Sequence, residues 1–289
     1  MKNKQTFFFI GLSFCLAFIL GLTTGALAEN IRIGVASPFT GDLAAYGDNI
    51  KAGVSLKLKE INDAGGINGQ KIELIWGDDL CAPKEAGTVG AKFAADKSIV
   101  AVIGHLCSSA TLAAMPIYVR SGLPAISPTS TNPTIGDVGK GWFFRNCYTD
   151  EFQGKYLASY VVPKLIGKYS VAIFYENNDY AIGLKDSFMA GAKDGGVTVT
   201  GAEAYVAKTT DFTPQLTKLL RDKPDTIFLC GYHPEGALIA GQAGATPQPA
   251  DMDTIEATRA EQDPDADLAG GVVEDDGVLA DVTAVGGVG

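Results

Sequence analysis

Histidine is nearly absent from this 289-residue chain, which holds two. Two imidazoles are too few for a histidine-built metal centre, and no metal or cofactor is expected. A charge excess of either sign is also missing over most of the length. Eleven of the 33 Asp/Glu but only one of the 23 Lys/Arg fall in residues 241–289, so the first 240 residues are electrically balanced. A balanced surface lacks the basic face that a nucleic acid requires. The sequence also has no Gly-x-Ser-x-Gly elbow, no Walker loop, no His-Glu-x-x-His and no Gly-x-Gly-x-x-Gly after a strand. These gaps weigh against an enzyme. Cys107 with His105 comes nearest to a nucleophile and base, but two residues apart on a turn they read as a disulfide cysteine and a loop histidine. What the chain does have is 46% hydrophobic against 19% charged residues. That is enough for two domains or one large one, and it excludes wholesale disorder.

Residues 1–28 read as a secretory signal peptide. Lys2 and Lys4 are followed by the apolar run Phe7 to Leu22, and Ala26-Leu27-Ala28 supplies a small-x-small cleavage pattern before Glu29. An uncleaved anchor fits less well, because the run falls short of the ~20 residues that a membrane span needs. Phe14, not a small residue, precedes Cys15, which argues against lipidation there. The cleaved chain is expected to be soluble and periplasmic. Export to an oxidising compartment permits disulfides. Cys81, Cys107, Cys147 and Cys230 remain, with three possible full pairings. All four can equally be small buried thiols.

From residue 31 onward, strands and helices alternate. Ile31 to Ala36 is a β run. Ile50, Val54, Leu58 and Ile61 recur at helical spacing, and Gly65-Gly66 ends that helix. Lys71 to Trp76 is a strand, Pro83 opens a helix to about Asp96, and Ile99 to Ile103 is a strand. A helix over 109–119 and a strand from Pro124 to Ser127 follow. In the second half, Phe152, Tyr156, Tyr160 and Val161 mark one helical face, and Leu184, Phe188, Met189 and Ala192 mark another. Strands are expected at Val171 to Tyr175, Val197 to Tyr205 and Thr226 to Cys230, with helices starting near Thr213 and Pro234. This rhythm predicts an α/β fold of parallel sheets flanked by helices. Ligands on such sheets lie at the carboxyl ends of strands.

Two of those strand ends carry hydroxyls. Gly104 to Thr111 places Ser108 and Ser109 where a helix begins, and a helix start with free N–H groups and serine hydroxyls suits an anion such as a carboxylate. Ordinary N-capping accounts for one serine at such a place. Thr129, Ser130 and Thr131 follow the next strand, between Pro128 and Pro133. Two hydroxyl loops on successive strand ends are more informative than either alone. Tyr46, Tyr180 and Tyr232 lie on loops of the same kind, each an apolar wall with a polar tip.

Residues 241–289 break the rhythm. They contain no Phe, Tyr, Trp or Lys. They read either as a disordered acidic tail or as a segment out of reading frame from near Gly241 and foreign to the fold. The second is favoured, because the change comes in mid-helix.

Several stretches are specific: Ser37-Pro38-Phe39-Thr40-Gly41 with Tyr46-Gly47-Asp48, Ile61 to Gly69, Cys81-Ala82-Pro83-Lys84, Gly104 to Ser109, Ile126 to Thr131, Asn178 to Gly183, and Gly231-Tyr232-His233-Pro234-Glu235. Through them the chain resembles, from about Ile31 to Ala240, the periplasmic leucine/isoleucine/valine-binding proteins. These are the solute-binding components of branched-chain amino-acid ABC transporters. The resemblance implies a two-lobed type I clamshell that closes on its ligand by a hinge, a motion for which periplasmic binding proteins are a standard example. The first lobe is expected over 29–147, part of the second over 148–240, and the aberrant tail over 241–289. By position, Ser108 and Thr131 hold the ligand's α-carboxylate, Ser109 lies beside them, and the Thr129 and Ser130 region adds backbone contacts. Tyr46, Tyr180 and Tyr232 touch the ligand from either lobe. Cys81 and Cys107 match the family's disulfide, leaving Cys147 and Cys230 free.

The ligand implied is a small amino acid with a branched aliphatic side chain, delivered by a monomer to an inner-membrane ABC permease. Sensing by a lobe of the same fold, or binding of amides, urea or aromatic acids, are the alternatives. A buried acid should match the ammonium, because an unpaired charge in a closed cleft is costly. The family's acid lies downstream of Gly231–Glu235, where this chain has its aberrant tail, and Glu274 is no convincing equivalent. Both lobes are therefore expected to be incomplete, and the chain to fold poorly and bind weakly.

Overall fold

The computed structural model describes residues 29–245 and a three-residue strand, Val282–Ala284. The signal-peptide reading of residues 1–28 lies outside the described residues. Two all-parallel sheets form. The first has the order β2-β1-β3-β4-β5, from β1 (Ile31–Ser37), β2 (Ile72–Asp78), β3 (Ile99–Ile103), β4 (Ala125–Ser127) and β5 (Phe143–Arg145). Between them run α1 (Ala44–Asp63), α2 (Pro83–Ala95), α3 (Ser108–Ser121) and the short α4 (Thr134–Gly139). Helix α5 (Asp150–Tyr156) continues as a wider π-helical stretch, Leu157–Ile166. The second sheet has the order β7-β6-β8-β9, from β6 (Ser170–Glu176), β7 (Thr198–Tyr205), β8 (Thr226–Cys230) and β9 (Val282–Ala284). Its helices are α6 (Asp179–Gly195), α7 (Thr213–Leu220) and α8 (His233–Ala245).

The predicted α/β alternation is present, and most elements fall within two or three residues of their expected bounds. Helix α4 and strand β5 were not foreseen, being six and three residues long. Residues 241–245 complete α8, and Val282–Ala284 pairs in parallel with Ile227–Leu229 of β8. The rest of 241–289, read as foreign to the fold, lies outside the described residues.

The helical faces take different environments. Phe152 and Tyr156 of α5 and Tyr160 of its π-helical continuation mark the outer face, at 64%, 46% and 45% exposure, and Met189 of α6 is also exposed. The inner face includes glycines that let α5 and α6 approach closely. A Cβ on Gly154 would lie 2.6 Å from the Phe188 backbone nitrogen, and one on Gly191 would lie 2.7 Å from the Lys155 Cα. Backbone packs against backbone along this seam, so the bulky aromatics have no room inside.

The second sheet is covered on both faces. Leu157, Leu184, Phe188 and Phe228 form one core, and Phe174, Tyr205, Phe212 and Leu216 the other. Over one face of the first sheet, Phe93 of α2 and Met115 and Tyr118 of α3 share a core with Val102 of β3. Its opposite face carries a row of paired neighbours, Trp76, Val35, Ile103, Ile126 and Phe144. Burial along that row declines from 0% exposure at Val35 to 42% at Ile126 and 54% at Phe144.

Candidate ligand-binding cleft

The carboxyl ends of both sheets face each other, and the lobes touch there. The Ser109 hydroxyl accepts the Asp179 N–H at 3.1 Å, and the Asn132 amide donates to the Asp179 carbonyl at 2.7 Å. An exposed ion pair, Lys208 to Asp42 at 3.1 Å, joins the rims.

On the first lobe, Ser108 opens α3 and is buried, and its hydroxyl accepts the Asn132 N–H at 3.3 Å. Thr131 is buried, with no hydrogen-bond partner for its hydroxyl. The Thr131 carbonyl accepts the Asp150 N–H at 3.0 Å. The adjacent hydroxyls are used differently. Thr129 donates to the Leu106 carbonyl at 2.8 Å. Ser130, wholly buried, reaches the His105 and Leu106 carbonyls and the Thr111 hydroxyl. These two side chains therefore lock one loop to the other. Arg145 fixes the same loop by donating to the Ser130 and Asn132 carbonyls at 2.9 and 3.0 Å.

The tyrosines converge from both lobes. Tyr232 of the second lobe lies with its ring centroid 5.3 Å from that of Tyr180 and 6.1 Å from that of Tyr46. Tyr46 also packs on His233 at 5.0 Å. Burial raises the Tyr46 and Tyr232 phenols above their ordinary range, so both stay neutral. The Tyr232 hydroxyl is 3.8 Å from the Cys81 sulfur. Cys81 and Cys107 form a disulfide, with Cα atoms 5.4 Å apart, while Cys147 and the buried Cys230 are free. Of the eight residues expected at the site, Tyr46, Ser108, Ser109, Thr131, Tyr180 and Tyr232 meet at the junction of the lobes. Thr129 and Ser130 turn their hydroxyls into the first lobe.

Two acids were missed. Asp150, the first residue of α5, is wholly buried, and neither carboxylate oxygen has a hydrogen-bond partner. Burial pushes its pKa up to about 6, a rise that the nearby Thr131 hydroxyl and Arg145 charge only partly offset. Glu176, at the end of β6, is raised to about 7 by burial and by the charge of Glu235, against the lowering effect of Asn178. Nothing in the sequence distinguishes Asp150 from an ordinary acid at a helix start, where it would favour the dipole in water. A buried carboxylate without partners is instead a place for a cation. Thr131 and Asp150 thus set a hydroxyl and a carboxyl group side by side.

Residues 30–266 match the family described as periplasmic binding protein. The chain belongs to that family. This periplasmic binding protein is 36% identical over 231 residues to an amino acid binding protein of Pseudomonas aeruginosa, covering 80% of this chain and 61% of the relative. It is 35% identical over 231 residues to the Leu/Ile/Val-binding protein of Escherichia coli, covering 80% and 62%. Among solved structures it is similar to the branched-chain amino acid transporter substrate binding protein of Streptococcus pneumoniae in complex with isoleucine. That likeness has a TM-score of 0.68 at 34% identity, over 76% of this chain and 63% of the other. The two-lobed type I architecture is therefore that of its relatives. This binding protein spans about three fifths of the length of the curated relatives it matches.

Proposed function

We propose that the protein is the solute-binding component of an ABC transporter, exported to the periplasm, and that it closes on a branched-chain amino acid or a related small zwitterion. The observation that carries this reading is Asp150, buried and unpartnered beside the Thr131 hydroxyl. Sequence reasoning left the ammonium without a counter-charge, and Asp150 supplies one. Ser108, Thr131 and the start of α3 take the carboxylate through hydroxyl and N–H donors. Tyr46, Tyr180 and Tyr232 wall the aliphatic side chain, whose size shifts affinity by only ~1–3 kcal/mol per methylene. Closure draws Ser109 and Asn132 onto Asp179, and the surface so formed signals occupancy to a membrane permease. The protein acts as a monomer, and it binds rather than transforms its ligand. Residues 1–28 direct export and are removed. The lobes run over 29–147 and 148–240.

Calorimetry on the purified chain 29–289 tests this. Leucine and isoleucine are expected to bind weakly and to be displaced by each other, with urea and benzoate silent. Binding of benzoate or urea with no response to any amino acid would overturn it.

A further inference from the structure

His105, expected to be a loop histidine, is wholly buried, and so are Asp79 and Tyr118. The imidazole Nδ1 lies 2.6 Å from Asp79 Oδ2, and Nε2 lies 2.9 Å from the Tyr118 hydroxyl. A neutral ring satisfies both: Nδ1–H donates to the carboxylate, and Nε2 accepts the phenol proton. The other Asp79 oxygen accepts the Cys81 N–H at 2.8 Å, while the Asp79 N–H donates to the Ser37 carbonyl at 3.2 Å. The His105 carbonyl receives three hydroxyls, from Ser127 at 2.6 Å, Ser130 at 3.0 Å and Thr111 at 3.3 Å. One buried node therefore ties the ends of β1, β2, β3 and β4 to α3. These are the loops that carry Ser108 and Thr131.

We propose that Asp79, His105 and Tyr118 are positioning residues that hold the hydroxyl rim in place for a carboxylate, and so set ligand affinity without reaching the ligand. This rests on reading the rim as a carboxylate site. Donors are effective only within ~0.5 Å of their productive placement, and a hydroxyl loop has no regular ladder to hold it there. Asp79 is the critical member. It accepts two N–H groups, one on each oxygen, whereas an asparagine side chain has a single acceptor oxygen. Asp79→Asn can keep both His105 and Cys81 only by donating its amide to His105 Nδ1, which forces the other imidazole tautomer and reverses the bond to Tyr118.

The test compares the full chain with its Asp79→Asn and Tyr118→Phe variants in two ways. Calorimetry gives the affinity ratio of leucine to leucinamide, which lacks the carboxylate charge. Amide exchange in the ligand-free protein reports the rim at Ser108, Ser109 and Thr131 against β6 and β8. Asp79→Asn is expected to shrink the ratio by about tenfold, about 1.4 kcal/mol, and to speed exchange at the rim but not in the second sheet. Tyr118→Phe, which removes one hydroxyl and is the more conservative change, is expected to shrink the ratio by about threefold. A fall in both affinities at constant ratio, or faster exchange throughout the chain, means the node is merely structural and overturns the proposal. Should the parent chain bind no amino acid, the functional reading falls, and rim exchange alone decides the positioning role.

Discussion

Replacing Asp150 with asparagine separates stability from function at a single residue. The carboxyl titrates at 3.8 when unperturbed and at about 6 in the folded chain. Folding thus favours its protonated form. The associated stability is fully present below pH 3.8 and is lost as the pH rises to about 6, where the folded group also ionises. At 1.36 kcal/mol per pH unit, that window is worth about 3 kcal/mol. Asp150→Asn removes the cost, because a neutral amide need not ionise. Urea unfolding of ligand-free protein, followed by circular dichroism between pH 4 and 8, is expected to show the variant about 2–3 kcal/mol more stable than the parent at pH 7. The two should converge near pH 4. Ligand binding is expected to move the opposite way. An ammonium pairs with the ionised carboxylate, so leucine affinity in the parent should fall about tenfold per pH unit below 6. In the variant it should be at least ~30-fold weaker at pH 7 and flat with pH, since a buried charge partner is gone. Parallel stability profiles for parent and variant would refute the uncompensated burial of Asp150. Unchanged leucine affinity would refute its pairing with the ammonium.

Other perturbations address separate parts of the molecule. Glu176→Gln is expected to flatten a second decline in stability, between pH 4.5 and about 7, measured by the same unfolding series. Cys81→Ser, which opens a disulfide spanning 26 residues, should cost about 3–4 kcal/mol of unfolding free energy in the chain-entropy model. Gly191→Leu forces a side chain into the α5–α6 seam and should lower the unfolding midpoint, at a cost of at least ~1–3 kcal/mol. Tyr156→Ser on the outer face of α5 should cost less, about 1 kcal/mol of unfolding free energy, because its half-exposed ring stacks only on Phe152 and Tyr160.

The alternation of strands and helices was legible because each strand is a short apolar run and most helices repeat at 3.6 residues. Strand β5 and helix α4 escaped because three and six residues do not complete a recognisable period. The aromatic face of α5 and its continuation was legible as a face, but the direction in which it turns was not. Hydrophobic residues usually mark the buried side, but here glycines and alanines bring two backbones together and push the rings outward. The hydroxyl loops were readable from their place at strand ends. Their separate uses were implied only by the family resemblance, since Ser130 and Thr131 are adjacent and spacing alone does not tell them apart; in the structure Ser130 bonds the His105 and Leu106 carbonyls and Thr131 does not. Asp150 stayed hidden behind Thr149, whose side chain caps the helix by accepting the Phe152 N–H at 3.3 Å. Thr-Asp-Glu at a helix start is an ordinary solvent-exposed pattern, and only the burial of both oxygens sets this instance apart.

The row from Trp76 to Phe144 has a practical meaning for anyone handling the protein. Its far end, Ile126 and Phe144, forms a contiguous exposed apolar shelf near the edge of the described sheet. Such shelves are adhesive, a property otherwise associated with half-assembled intermediates. Dilution, mild detergent or a chaperone that shields the shelf will thus do more to keep the protein in solution than cooling, because hydrophobic attraction weakens only modestly in the cold.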